Sequence, residues 1–145
     1  MPTDGRFPEH EHRPAIVISR WLLAAFYGIA GALHLTVPRP FVSIVPTWVP
    51  DADLVVTWTG VAEGLGSVGI VIGRSQTIRR AAGSGLALYA VCVWPANVQH
   101  MLIDLARPDK GLGLTYHVPR LAAQPLLIWL ALWTAEMVRW PFNRR

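Results

Sequence analysis

Residues 54–72 read LVVTWTGVAEGLGSVGIVI, a run of apolar and small residues with one ionisable side chain, Glu63, near its middle. At ~1.5 Å per residue a helix of this length spans the ~30 Å hydrocarbon core of a bilayer. A carboxylate at that depth costs roughly 2.5 to 3.5 kcal/mol even on lenient insertion scales, so it must meet a partner or a cavity. Thr59 and Ser67, four residues to either side, share its helical face. That face cannot look at lipid, and the segment therefore predicts a bundle of several membrane helices.

Three further apolar blocks, Trp21–Val37, Ala81 to about Leu105 and Leu121–Val138, complete the pattern. The expected architecture is an all-α, polytopic membrane four-helix bundle. Its spans lie at about 16–37, 54–73, 80–105 and 120–139, behind a polar tail over 1–15. The chain of 145 residues has room for one domain, and 52% hydrophobic against 15% charged residues is too apolar for an ordinary soluble one. The polar start, MPTDGRFPEHEHRP, lacks the apolar core and small-residue cleavage site of a secretory signal, so the first helix is expected to stay attached.

The net charge of +4 is spread over helix ends rather than along a stripe with stacking aromatics, so no nucleic-acid partner is expected. The tails and second loop hold Arg6, Arg13, Arg20, Arg74, Arg79, Arg80, Arg139, Arg144 and Arg145. The first and third loops hold Arg39, Arg107, Lys110 and Arg120. Nine against four places both termini in the cytoplasm of a plasma (inner) membrane. Cys92 is the single cysteine, which excludes an intrachain disulfide and a CxxC redox pair.

Helix one should end at Pro38-Arg39-Pro40, and FVSIVPTWVPDAD, interrupted by Pro46 and Pro50, should lie in the outer interface. Helix two carries Gly60/Gly64 and Gly69/Gly73, spacings that let helices approach closely in lipid and also allow a homodimer. Pro95 should kink helix three by depriving the Val91 carbonyl of its donor. The third loop, RPDKGLGLTYHVP, either moves freely or folds over the outer end, and helix four should run from near Arg120 to Arg139-Trp140-Pro141.

The polar residues within the spans gather toward the outer half. Tyr27, Gly31 and His34 line one side of helix one; Asn97, His100 and Asp104 make a stripe on helix three; Arg120 and Gln124 stand one turn apart at the start of helix four. With Glu63 they suggest a one-sided polar pocket. The ligand-binding candidates are Tyr27, His34, Glu63, Asn97, His100, Arg120 and Gln124, with Glu63, His34 and His100 as catalytic groups if the protein is an enzyme. Asp104 and Glu136, near span ends, are expected to be solvated, and His10, His12 and His117 fall in polar segments that say little. His34, Glu63 and His100 lack the helical HxxE or HExxH pair that fixes zinc geometry, so no metal site is expected.

Several stretches carry a family resemblance: AGALHLTVPRPFVSIVPTWVP, TGVAEGLGSVGIVIG, RRAAGSGLAL, WPANVQHM and RLAAQPLLIW. Their order and spacing, from about Trp21 to Trp133, resemble the DoxX and DoxX-like family of small four-helix integral membrane proteins. The resemblance implies a conserved polar pocket at the positions of His34, Glu63, Asn97, His100, Arg120 and Gln124. It implies less about activity, since members are linked to thiosulfate:quinone oxidoreductase subunits, thiol-redox complexes, methylamine-utilisation accessory proteins and receptor-assembly chaperones, and fold alone does not settle function.

Three functions fit these residues. One is a redox or envelope-stress accessory subunit whose pocket takes a quinone or other lipophilic ligand, with electrons supplied by a protein partner because the chain has no cofactor motif of its own. The second is a stand-alone membrane enzyme of isomerase, cyclase or epoxide-opening type, with Glu63 and a histidine as acid and base and Arg120 stabilising negative charge. The third is an assembly factor or chaperone without catalysis.

Overall fold

The computed structural model describes residues 13–72 and 75–138. The expectations that touch the N-terminal tail, Gly73, Arg74 and the Arg139-Trp140-Pro141 anchor lie outside these residues. Among them every regular element is helical: α1 (Arg13–Thr36), α2 (Arg39–Val42), α3 (Ala52–Ile72), α4 (Gln76–Ala106) and α5 (Gly113–Thr134). Pro14–Thr36, Ala52–Ile72 and Gln76–Ala106 are long and apolar enough to cross a membrane. α5 is of similar length to α3 but carries His117, Arg120 and Gln124 in its first half.

The surface is that of a protein whose solvent is lipid. Leu22, Leu65, Leu88 and Leu126, on four different helices, are more than half exposed, whereas Glu63, Asn97, Asp104, His117 and Gln124 are buried. In water this distribution would leave a large apolar area wet and desolvate five polar groups at once. In a bilayer the outward leucines cost nothing.

The long helices pack in a closed ring, α1 on α3, α3 on α4, α4 on α5 and α5 on α1, with α1·α3 and α4·α5 the most extensive pairs. An apolar core of Leu23, Tyr27, Ile70, Leu86 and Ala131 fills the half away from α2. At that end Arg20 of α1 donates from Nη2 to the Thr134 carbonyl at 2.8 Å and to Glu136 Oε1 at 3.0 Å, tying α1 to the end of α5. Ser67 Oγ of α3 donates to the Ala24 carbonyl of α1 at 2.7 Å, one turn below Glu63.

Close approach of α1 and α3 depends on two glycines. A Cβ on Gly31 would lie 2.7 Å from the Gly60 carbonyl oxygen, and one on Gly60 would lie 2.9 Å from the His34 Cβ. The two backbones are thus in contact one turn from His34 and Glu63. Of the Gly60/Gly64 spacing both backbones stand against Gly31, but a Cβ on Gly64 would meet open space; Gly69 packs on Ala82 of α4 and Gly66 on Leu86.

Both ends of α5 and the start of α4, at Gln76 rather than about 80, differ from the boundaries read in the sequence. α5 begins at Gly113, seven residues before Arg120, and ends at Thr134. Pro119 looks like a helix start, yet here it lies inside the helix, where only the Thr115 carbonyl loses its donor. The earlier start is set by Asp104, whose Oδ2 accepts the Leu112 amide at 2.9 Å, and by Gly111 and Gly113, which take positive φ in the tight turn from α4. The last two turns of the third loop are therefore helix. The segment 38–50 forms α2 and a series of turns across the end of the bundle, with Phe41 stacked on the His34 ring at 3.8 Å between centroids.

Candidate functional site

At the α2 end the four long helices part around a cavity of about 540 Å³, within the usual range for small-molecule sites. Tyr27, His34, Glu63, Asn97, Arg120 and Gln124 all line it, so six of the seven candidate ligand-binding residues meet in one space. The rest of the wall is largely apolar and aromatic, including Phe26, Tyr89 and Tyr116, and the turn carrying Pro46 and Trp48 closes the end.

His34 and Glu63 form one wall. His34 Nδ1 is 2.8 Å from the Ala30 carbonyl and 2.9 Å from Glu63 Oε2. A carbonyl only accepts, so Nδ1 carries a hydrogen and aims it along its own helix. Glu63 Oε2 sits close by but off that axis, and it has no hydrogen-bond partner although the residue is 2% exposed. The Tyr89 hydroxyl reaches the Glu63 carboxyl group from α4.

Arg120 forms the opposite wall. Its Nη1 lies 2.7 Å from His100 Nδ1, and its guanidinium carbon lies 5.8 Å from the Tyr116 ring centroid. Arginine only donates, so His100 Nδ1 must be the bare nitrogen, and its proton is on Nε2. That nitrogen faces Asp104 Oδ2 at 3.7 Å. The same oxygen accepts from His117 Nε2 at 2.9 Å. Arg120, His100, Asp104 and His117 thus form a continuous polar network that holds one cation at the cavity wall.

His100 is not a wall residue; it stands behind Arg120 and orients it. Asp104 and His117, expected to be solvated or uninformative, are 5% and 0% exposed and complete the network. The spacing signal was present for both, since Asp104 is four residues from His100 and His117 is three from Arg120, but the second depends on extending α5 through Pro119. Tyr89, eight residues before Asn97, shares its face and could have been found the same way. Glu136 is exposed and pairs with Arg20.

His100, Asp104 and His117 place ligand atoms within 4.8 Å of one another, close enough to surround a metal ion. The hydrogen bonds do not suit one. A histidine bound through Nε2 carries its proton on Nδ1, and at His100 that proton would point at the Arg120 N–H from 2.7 Å. His34 and Glu63 belong to a different wall.

Three buried polar atoms on three helices, Tyr27 OH, Glu63 Oε2 and Gln124 Oε1, have no partner, and all three residues line the cavity. Buried polar groups are rarely left so, because each costs about 1–3 kcal/mol. The arrangement can hold a largely apolar molecule with a polar end, and it sets a carboxyl group and a fixed guanidinium on opposite walls.

No curated protein and no solved structure matches the chain. A family model described as a domain of unknown function (DUF8561) matches residues 23–135, which contain every residue of the cavity and of the network behind it. The chain therefore belongs to the DUF8561 family.

Proposed function

We propose that this protein is an integral membrane protein of four spans that binds a lipophilic ligand by its polar end in the cavity between its helices. The observation that carries this reading is the convergence of Tyr27 OH, Glu63 Oε2 and Gln124 Oε1, all buried and unpartnered, on one apolar-walled space of about 540 Å³. The Arg20 bond to Thr134 puts the start of α1 and the end of α5 at the same end of the molecule, which supports an even number of crossings. The basic bias of the tails and second loop then favours a cytoplasmic location for that end, in a plasma (inner) membrane, with the cavity in the outer half.

The DoxX-like resemblance extends the proposal to a redox or envelope-stress accessory subunit that holds a quinone or similar molecule for a protein partner. A second reading, a membrane enzyme that moves a proton within its ligand, is favoured by one observation: His34 and Glu63 stand 2.9 Å apart at the wall facing Arg120. The test is native mass spectrometry of the gently solubilised wild type beside Glu63→Gln and Arg120→Ala. The expected result is a bound apolar molecule in the wild type, depleted in both variants. An empty wild type overturns the proposal, and turnover of the identified molecule by the purified chain decides for the enzyme.

A further inference from the structure

The unpartnered atoms of the cavity also say what kind of polar end they await. Of the three, the Gln124 amide can present either a donor or an acceptor by turning over, and the Tyr27 hydroxyl can do either by rotating. Glu63 Oε2 has no such freedom. The His34 hydrogen is directed to Ala30, but Nδ1 itself stands 2.9 Å from Oε2 and leaves no room for a second hydrogen between the two atoms. Oε2 is therefore an acceptor, at 2% residue exposure, without a donor. Across the cavity Arg120, which only donates, is fixed by His100 and Tyr116. The walls thus ask for a group that gives a hydrogen on one side and accepts one on the other.

A hydroxyl carries both a donor and an acceptor. A carbonyl or an ether only accepts, so it satisfies Arg120 and leaves Glu63 bare, while an ammonium satisfies Glu63 and brings a second cation into a space already lined by a guanidinium. From this geometry we infer that the cavity selects hydroxyl-bearing lipophiles, such as alkylphenols, hydroquinols or long-chain alcohols, whose O–H donates to Glu63 Oε2. Of a quinone couple it takes the reduced member. The inference rests on the reading of the cavity as a ligand site, and the aromatic wall of Phe26, Tyr89 and Tyr116 favours a phenolic ring over a plain chain.

The experiment uses two probes that differ by one methyl group, 4-decylphenol and 4-decylanisole. Each is titrated into the protein in phosphatidylcholine nanodiscs, with binding read from the change in tryptophan fluorescence, to which Trp48 at the cavity rim contributes, and empty nanodiscs as the partition control. The phenol is expected to bind about tenfold more tightly than its methyl ether, the scale of one hydrogen bond to a charged group. In Glu63→Gln and Glu63→Leu, each checked for an unchanged melting transition, the preference falls to about twofold or less. Equal binding of both probes to the wild type would mean that water serves Glu63; it overturns the selectivity and leaves the ligand site standing. Retention of the full preference in a folded Glu63 variant also overturns it. If neither probe saturates the wild type, the ligand site itself fails, and the selectivity with it.

Discussion

Arg120 Nη1 meets His100 Nδ1 at 2.7 Å, and since the guanidinium can only donate, the contact fixes His100 as a neutral imidazole protonated on Nε2. His100 is thereby a positioning residue. His100→Ala frees Arg120 to reach toward the membrane surface and should weaken ligand binding by up to about tenfold, while the fold persists. His100→Gln, whose side-chain oxygen can accept from the guanidinium, should restore part of the loss. Titration of the retained ligand against the two variants measures both, and equal binding to wild type and His100→Ala would remove the role.

The approach of α1 to α3 should be sensitive to side-chain size. Gly60→Ala places a Cβ 2.9 Å from the His34 Cβ and 3.0 Å from the Gly31 carbonyl, backbone and stem atoms that cannot swing aside. It should cost about 1–3 kcal/mol and separate His34 from Glu63. Gly64→Ala, one turn along and facing open space, should leave the melting temperature unchanged or raise it slightly. The pair, melted side by side in the same detergent, separates packing from helix propensity.

Asp104 accepts from the Leu112 amide and from His117, so its loss strands two donors at once. Asp104→Ala should destabilise by about 3–5 kcal/mol and expose the 107–112 turn to protease. The two residues do not require a metal for this, and a chelator should leave the wild-type melting temperature where it is. A chelator-sensitive transition restored by zinc would make the cluster a metal site instead.

The turn between α4 and α5 has its own acid dependence. The Gly111 amide, and after it the Arg107 guanidinium, hold the Asp109 carboxyl below the usual carboxylate range. Such a group stabilises the turn fully above the unfolded value of about 4 and loses that contribution as the pH falls through its lower folded value. Amide exchange at Gly111 should therefore accelerate selectively in strong acid, and an exchange rate with no break below pH ~4 would exclude the bond to Asp109.

The apolar blocks and the position of Glu63 were legible because membrane spans are read from length and composition alone. The gathering of Tyr27, His34, Asn97, Arg120 and Gln124 was legible because helical periodicity fixes which side of each span a residue occupies. What periodicity does not carry is the order of depth across the bundle. His100 lies on the same stripe as Asn97, yet it stops behind Arg120, because Tyr116 and His117 come down from an α5 that starts two turns early. Pro119 masked that start, since its missing donor reads the same at the beginning of a helix and inside one.

The fastening of Arg20 to the Thr134 carbonyl and to Glu136 has a mechanical consequence. At the cavity end His34 stands against Glu63 between α1 and α3, His117 bonds Asp104 between α5 and α4, and the Tyr89 hydroxyl on Glu63 links one pair to the other. At the opposite end Arg20 also joins the two pairs. The molecule is built like a pair of tongs, pinned at the handle and latched at the jaws by a hydroxyl. A ligand arriving sideways from the bilayer would need to release that latch and lift the α2 turn, with no helix leaving its own partner.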